Sequence, residues 1–355
     1  MRKVDSVIIC GDVEDTDPAP IYAFDLDWTL IRPSSGKFCK STDDYKWLYD
    51  NVIDRLKQLN QSSIIVLFTN QKQISQGPHA LGIFEERIAN ISKDLGFKIR
   101  VFASSADDRY RKPFPSMWEM FVSDFAPWWQ WTNLPTVYIG DAAGRENDFS
   151  DSDRNFAHNI SSIYSRRVDF KTPEEFFLGH PAENFALRGF DASLIPPYVI
   201  PNEVIQNHPN EMIILCGIPG VGKTSFRKKY FPEYLCVNYD SGNRKILNCD
   251  KSIIIDNTNM SVRSRKEFLD FAKSKSILCR CILFDFDAKL AAHLAKCREY
   301  LRPAYVYKHI TDVCYRMMIK SYQRPTLDEG FTRIDVVQFS YNPDIMDKKI
   351  LNMRF

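Results

Sequence analysis

No stretch of these 355 residues approaches the roughly 20 consecutive apolar positions that a membrane-spanning helix needs. The opening ten residues have too short an apolar core for a secretory signal, and acidic residues follow at once. Internal repeats and low-complexity tracts are missing, and with 44% hydrophobic and 26% charged residues long disorder is not expected. The nine cysteines include no Cys-x-x-Cys pair, which argues against a zinc site or a disulfide framework. A reducing intracellular compartment, nuclear or cytoplasmic, fits that usage better than secretion. Net charge is also nearly absent at +2, but unevenly so. Residues 1–200 carry 28 acidic against 22 basic side chains, and residues 201–355 carry 17 against 25. An acidic half suits metal-dependent chemistry and a basic half suits polyphosphate or a nucleic-acid backbone, although an uneven solvated surface gives the same numbers.

What is present is alternation. Short β-rich runs at 21–24, 63–68, 98–103 and 136–139 are separated by stretches with helical spacing at 43–59 and 82–95. Such alternation predicts a parallel sheet with helices on both faces. The proline-rich segment 185–209 is the best linker candidate, and strand-helix alternation then restarts at 212. The expected fold class is therefore α/β, with two doubly wound domains at 1–187 and 210–355 and a linker at 188–209.

Each half opens its chemistry at a strand end. Asp25-Leu26-Asp27-Trp28-Thr29 follows the run 21–24, and in open α/β sheets working residues lie at such carboxyl ends. A carboxylate at Asp25 can attack phosphorus, and Asp27 can protonate the leaving oxygen and later activate water. Thr69 ends another apolar run and can hold a phosphoryl oxygen, while Lys112 offers a cation. Asp141 ends a third run. Asp25, the backbone carbonyl of Asp27 and Asp141 make an oxygen-ligand set for Mg²⁺. Asp148 and Asp153 are either outer supports of that set or plain loop carboxylates.

In the second half, Gly217-Ile218-Pro219-Gly220-Val221-Gly222-Lys223-Thr224-Ser225 is a P-loop, whose backbone N–H groups cradle nucleotide phosphates. Lys223 would reach the β- and γ-phosphates and Thr224 would coordinate Mg²⁺. The loop alone separates neither ATP from GTP nor a kinase from an ATPase. Asp240 closes a further run and could accept a proton from an attacking hydroxyl, and Asp256 stands like a Walker B residue. The aromatic group Trp128-Trp129-Gln130-Trp131 could stack on bases, but core packing is the expected use.

The first half resembles the haloacid-dehalogenase-like phosphatases. More narrowly, both halves resemble the polynucleotide kinase 3′-phosphatases, through residues 24–30, 68–71, 110–113, 140–145, 148–150 and 172–178, then the P-loop, 237–240, 255–259, 279–284, 298–299 and 325–331. The resemblance implies an N-terminal haloacid-dehalogenase-like 3′-phosphatase and a C-terminal ATP-dependent 5′-hydroxyl kinase, both using Mg²⁺. It makes Asp240 the general base and Arg298 the lid residue that clamps phosphates. Without it, Arg298 reads as a solvated helix charge. Nucleic-acid ends are the implied partner, DNA ahead of RNA, with a monomer expected and a role in strand-break repair. Animal members begin with a forkhead-associated domain, but only about twenty residues precede the first motif here, so scaffold binding by that route is not expected. The family usually has a small residue where Trp28 stands; packing is the expectation, with base stacking or a narrowed entrance as alternatives. It often has arginine where Tyr239 stands. Arg244 could touch a 5′-end phosphate, with surface charge the plainer account. A small-molecule kinase fused to a small-molecule phosphatase is the rival function, and a non-catalytic adaptor a second.

Overall fold

The computed structural model describes residues 1–11, 19–34, 36, 39–124, 134–196, 198–238, 251–302, 310–339, 341, 344 and 346–355. They form two compact units, Met1–Gly189 with Asn352–Phe355, and Phe190–Leu351.

The first unit is built on β1 (Arg2–Val4), β2 (Val7–Cys10), β3 (Ile21–Phe24), β4 (Ile31–Arg32), β5 (Lys46–Trp47), β6 (Ile64–Asn70), β7 (Arg100–Ser104), β8 (Thr136–Ile139) and β9 (Asp169–Lys171). Seven of these make one sheet in the order β1-β2-β7-β6-β3-β8-β9. The pairs from β7 to β9 are parallel, and the β1–β2 and β2–β7 pairs are antiparallel. Alternate residues of a strand point to opposite faces, so each strand feeds two cores. Phe24, Leu67, Val101 and Ile139 pack with α1 (Val52–Leu59) and α2 (Pro78–Leu95). Ala23, Phe68, Phe102 and Tyr138 pack on the other face with α3 (Ser116–Ser123) and α4 (Ser152–Tyr164). The chain crosses to opposite sides of β3 to form β6 and β8, which leaves a crevice at the carboxyl end of β3.

The helix expected over 43–59 is confined to α1. Its first part instead forms β5, paired antiparallel with β4. Tyr45, Trp47 and Tyr49 pack against the core at every second position, the period of a strand and not of a helix.

The second unit is an all-parallel sheet in the order β11 (Leu235–Val237), β12 (Ile253–Ile255), β10 (Glu211–Cys216), β13 (Leu278–Phe284), β14 (Arg333–Val337). Its helices include α5 (Asn202–Ile205), α6 (Lys223–Tyr230), α7 (Val262–Ser274), α8 (Ala288–Leu301) and α9 (Asp312–Ser321). The segment 190–209 is not a free linker. Ile200, Val204 and Ile205 join the core beneath β10 and β13, and Phe190 and Ile195 pack on Leu290 and Leu294 of α8. The buried Arg280 guanidinium ties it down, donating to the carbonyls of Val204 (3.0 Å) and Gln206 (2.8 Å) and to Glu211 (2.9 Å) and Asp335 (3.2 Å). Prolines suggested a linker, but the aliphatic side chains between them are what the fold uses.

Residues 352–355, assigned by sequence to the second domain, belong to the first unit. Met353 is fully buried. The Asn159 amide donates to Arg354 O (2.8 Å) and Pro113 O (2.9 Å), and accepts from Arg354 N–H (2.7 Å). The Phe355 ring lies 4.9 Å from Phe114. A Cβ on Gly189 would stand 2.3 Å from Phe355 O, so this crossing admits only glycine. Deleting residues 352–355 is expected to lower the melting temperature of the first unit by roughly 10 °C, from loss of the buried Met353 and of the two bonds between Asn159 and the Arg354 backbone. Calorimetry of the intact and shortened chains checks this.

Candidate active sites

At the carboxyl end of β3, acidic groups outnumber cations. Lys112, buried, donates from Nζ to Asp25 Oδ1 (2.6 Å), Asp153 Oδ1 (2.7 Å) and Tyr138 Oη (3.0 Å). Asp25, Asp141 and Asp153 each bring a carboxylate oxygen within 4.8 Å of the others. Asp153 is fully engaged by the protein, since its Oδ2 accepts from Ala142 N–H (3.1 Å). This makes it a support for Lys112 rather than an open ligand. Gly140 is small for the same reason: a Cβ there would sit 2.5 Å from the Asp153 carboxyl carbon. Asp27 accepts at Oδ2 from Gln71 Nε2 (2.6 Å), which also reaches Thr69 Oγ1 (3.0 Å). The Asn70 side chain exchanges two hydrogen bonds with the Lys112 backbone, 2.9 and 3.2 Å, locking the lysine loop to the end of β6.

Thr29 and Arg145 carried no assigned role in the sequence, and Asp148 only that of an outer support or a plain loop carboxylate. Thr29 Oγ1 accepts from Asp141 N–H (3.1 Å), joining the loop after β3 to the end of the next strand. Arg145 donates to Asp148 (3.1 Å), Glu174 (3.0 Å) and Asp141 O (3.3 Å). It thereby links two of the motifs that carried the resemblance. Asp148 accepts from the N–H groups of Ala143 and Arg145, both 3.0 Å. Trp28 was expected to pack, but it is 41% exposed with φ of 61°. Its backbone N–H donates to Ile31 O (2.7 Å), which closes a tight turn that a glycine would enter freely. Trp128, Trp129 and Trp131 lie outside the described residues.

Burial pushes the Asp25 carboxyl up to about 7 against the pull of Lys112, with Asp153 adding to the rise. Burial and the charges of Asp153 and Asp25 push Asp141 up to about 9. Burial also raises Asp27, against donation from Gln71. One ammonium thus faces four carboxyl groups. An all-oxygen set with surplus negative charge fits a hard divalent cation such as Mg²⁺.

The second site follows β10. Gly217, Gly220 and Gly222 have φ of 154°, 93° and 88°, and a Cβ on Gly220 would meet Ala291 O at 2.4 Å. The loop therefore lies flat against α8, with its backbone in a conformation suited to phosphate. Lys223 Nζ donates to the carbonyls of Gly217 (2.7 Å) and Ile218 (2.9 Å), and Thr224 Oγ1 to Asp256 Oδ1 (3.1 Å). Arg227 lies 3.4 Å from the same carboxylate. A cavity of about 600 Å³ adjoins the loop, lined among others by Gly220, Gly222, Ser225, Phe286, Arg298 and Phe339. Arg298 and the loop thus line one cavity. Asp240, Tyr239 and Arg244 fall outside the described residues.

Behind the P-loop, the Asn259 amide donates to Leu215 O (2.8 Å), and Arg265 donates to Asn259 O (2.9 Å). The same guanidinium makes a two-pronged, buried pair with Glu329, 2.7 Å on each arm. Residues 255–259 and 325–331, two more carriers of the resemblance, are therefore joined through Arg265.

The family model "Polynucleotide kinase 3 phosphatase" matches residues 20–177. The bifunctional polynucleotide phosphatase/kinase of Schizosaccharomyces pombe is 32% identical over 350 residues, covering 92% of this chain and 81% of that one. A putative bifunctional polynucleotide phosphatase/kinase of Acanthamoeba polyphaga mimivirus is 29% identical, covering 93% and 87%. The polynucleotide 3′-phosphatase of Saccharomyces cerevisiae is 28% identical over 45% of this chain and 87% of its own. Fold and loops define a two-unit α/β protein, a phosphatase unit followed by a P-loop kinase unit. The chain belongs to the bifunctional polynucleotide phosphatase/kinase family.

The raised carboxyl groups fix how stability should vary with pH in chelator-treated protein. Well below the ordinary carboxylate value of 3.8, Asp25 and Asp141 are protonated whether folded or unfolded. Above that, the unfolded chain releases its protons first. The folded chain follows only near about 7 for Asp25 and about 9 for Asp141. Stability of the first unit is therefore expected to fall as pH rises from about 5 to about 8. Mg²⁺ should raise its melting temperature more at pH 8 than at pH 5, which thermal scans with and without chelator measure.

Proposed function

We propose that this chain repairs the ends of broken nucleic-acid strands, removing 3′-phosphates with its first unit and phosphorylating 5′-hydroxyls with its second. The observation that carries the reading is the pairing of two phosphate-handling loops, each at the carboxyl end of a central parallel strand, in a chain related over 92% of its length to a bifunctional enzyme.

In the first unit, Asp25 is the nucleophile. Its free carboxylate oxygen attacks the phosphorus of a 3′-phosphate, forming an acyl phosphate as the strand's 3′-oxygen leaves. Asp27, raised by burial and steered by Gln71, gives that oxygen a proton and then takes one from the water that cleaves the acyl phosphate. Thr69 and Lys112 hold the phosphoryl oxygens. Asp25, Asp141 and the Asp27 carbonyl would hold Mg²⁺, which when bound offsets charge on the phosphate.

In the second unit, Gly217–Ser225 and Lys223 cradle the ATP phosphates, and Thr224 with Asp256 would hold the accompanying Mg²⁺. The cavity beside the loop takes the nucleoside. Arg298 clamps the γ-phosphate and Asp240 takes the proton of the 5′-hydroxyl. Each unit draws on its own side chains, which suits a monomer. The products, a 3′-hydroxyl and a 5′-phosphate, are what a ligase requires, and DNA is the preferred strand in this reading, in an intracellular setting.

Asp25→Ala should abolish release of 3′-phosphate, with at least a thousandfold loss, and leave 5′ labelling nearly intact. Lys223→Ala should do the reverse. Both are assayed on DNA and RNA oligonucleotides with defined ends. Loss of both activities in either folded variant would refute two separate sites, and a wild-type chain inactive on every oligonucleotide would favour small-molecule substrates.

A further inference from the structure

Trp28 is an exposed aromatic held in an unfavourable backbone conformation inside the loop that carries Asp25 and Asp27. Its φ of 61° lies in the left-handed region that side chains other than Gly, Asn and Asp rarely adopt. Its ring contacts no other ring, and its indole N–H finds no acceptor among the described residues. Trp118 is 1% exposed in the core on one face of the sheet and Trp47 packs against the core on the other, whereas Trp28 stands 41% exposed. Packing does not account for such a side chain, and the turn would form more easily without it. Strain kept beside reacting groups points to a functional use.

The chemistry of the surroundings narrows that use. This half of the sequence holds 28 acidic against 22 basic residues, and the reacting loop itself adds carboxylates. The loop 25–30 carries no basic residue, and the cations whose charge reaches Asp27, Arg87 and Lys112, are both buried. An aromatic face binds any base by stacking, without cations and with little sequence preference.

We propose that Trp28 is a specificity-determining residue that stacks on the terminal base of the 3′-phosphorylated strand, so that the first unit prefers an end carrying a base over a bare sugar phosphate. The proposal rests on the phosphatase reading of that unit and adds the base to its substrate.

Steady-state kinetics on two 3′-phosphorylated oligonucleotides test it, one ending in an ordinary nucleotide and one in an abasic sugar. The wild-type chain should show a KM about tenfold lower for the base-bearing end, the size of one base–aromatic stack, at similar kcat. Trp28→Asn keeps a residue that tolerates the left-handed region and removes the ring. It should raise KM about tenfold on the base-bearing end and leave the abasic end unchanged. Trp28→Phe, which keeps a ring, should retain most of the preference. An undiminished preference in Trp28→Asn overturns the proposal. Equal loss on both ends does so too, since the ring would then serve only the loop, as does faster hydrolysis of both, since it would then be a barrier. Failure of the phosphatase reading shows separately, as a wild-type chain that releases phosphate from neither strand.

Discussion

The contact between Lys112 and the paired carboxylates Asp25 and Asp153 governs the first unit. A buried ammonium stripped of its partners would be costly, as would either carboxylate alone. All three persist because the one ammonium satisfies both carboxylates, at 2.6 and 2.7 Å. Much of the surrounding structure holds this triad in place. Gly140 leaves room for Asp153, Tyr138 fills the lysine's third donor, and Asn70 fixes the lysine backbone. Asn159 reaches Pro113, the next residue, and through it the terminal residues of the chain. Yet one ammonium does not neutralise Asp25, Asp27, Asp141 and Asp153 together. The raised carboxyl groups express that deficit, and a divalent cation is the simplest way to close it.

The second unit solves a different problem, how to keep an unpaired, glycine-rich backbone in one shape. The P-loop makes no ladder of its own, so its geometry is set from outside. Ala291 presses on Gly220, and Tyr315 donates to Pro219 O (2.9 Å). Asn259 holds the strand that leads in. Arg265 and Glu329 then brace Asn259 from the far side of the core. These residues act through the loop and touch no expected position of the nucleotide, which explains how a motif as remote in sequence as 325–331 can mark the same family.

Strand ends bearing a hydroxyl or carboxylate were legible because a parallel sheet forces apolar runs to stop where the chain meets solvent. Hence Asp25, Thr69 and Asp141 could be picked out one by one, and the structure brings their strands side by side. Long-range partners were not legible. Nothing local in the sequence says that Thr29 will accept from Asp141, or that Arg145 will bridge to Glu174. Two misreadings share a cause, reliance on one local signal. Apolar spacing over 43–59 suggested one helix where a short strand pair precedes α1, and prolines over 185–209 suggested a linker where Ile200 and Val204 supply core. The expectation for Trp28 failed because average burial of tryptophan says nothing of a turn that turns its side chain out.

The opposite charge of the two halves becomes intelligible once each site's electrostatics are compared. A polyphosphate cradle benefits from the excess of basic residues in 201–355. The phosphatase loop cannot share that device, because added cations beside Asp25 would pair with the carboxylates and compete with the metal for the same oxygens. A strand end brought to this cluster of carboxylates meets repulsion at every phosphate except the one that Lys112 and a bound cation would hold. Attraction for the rest of the terminus must then come from a group without charge, and the base is the only part of a nucleotide that an uncharged side chain can grip over a large area. A tryptophan forced outward from the nucleophile loop meets that requirement, which makes the strained turn at residue 28 a consequence of the same surplus of carboxylates that calls for the metal.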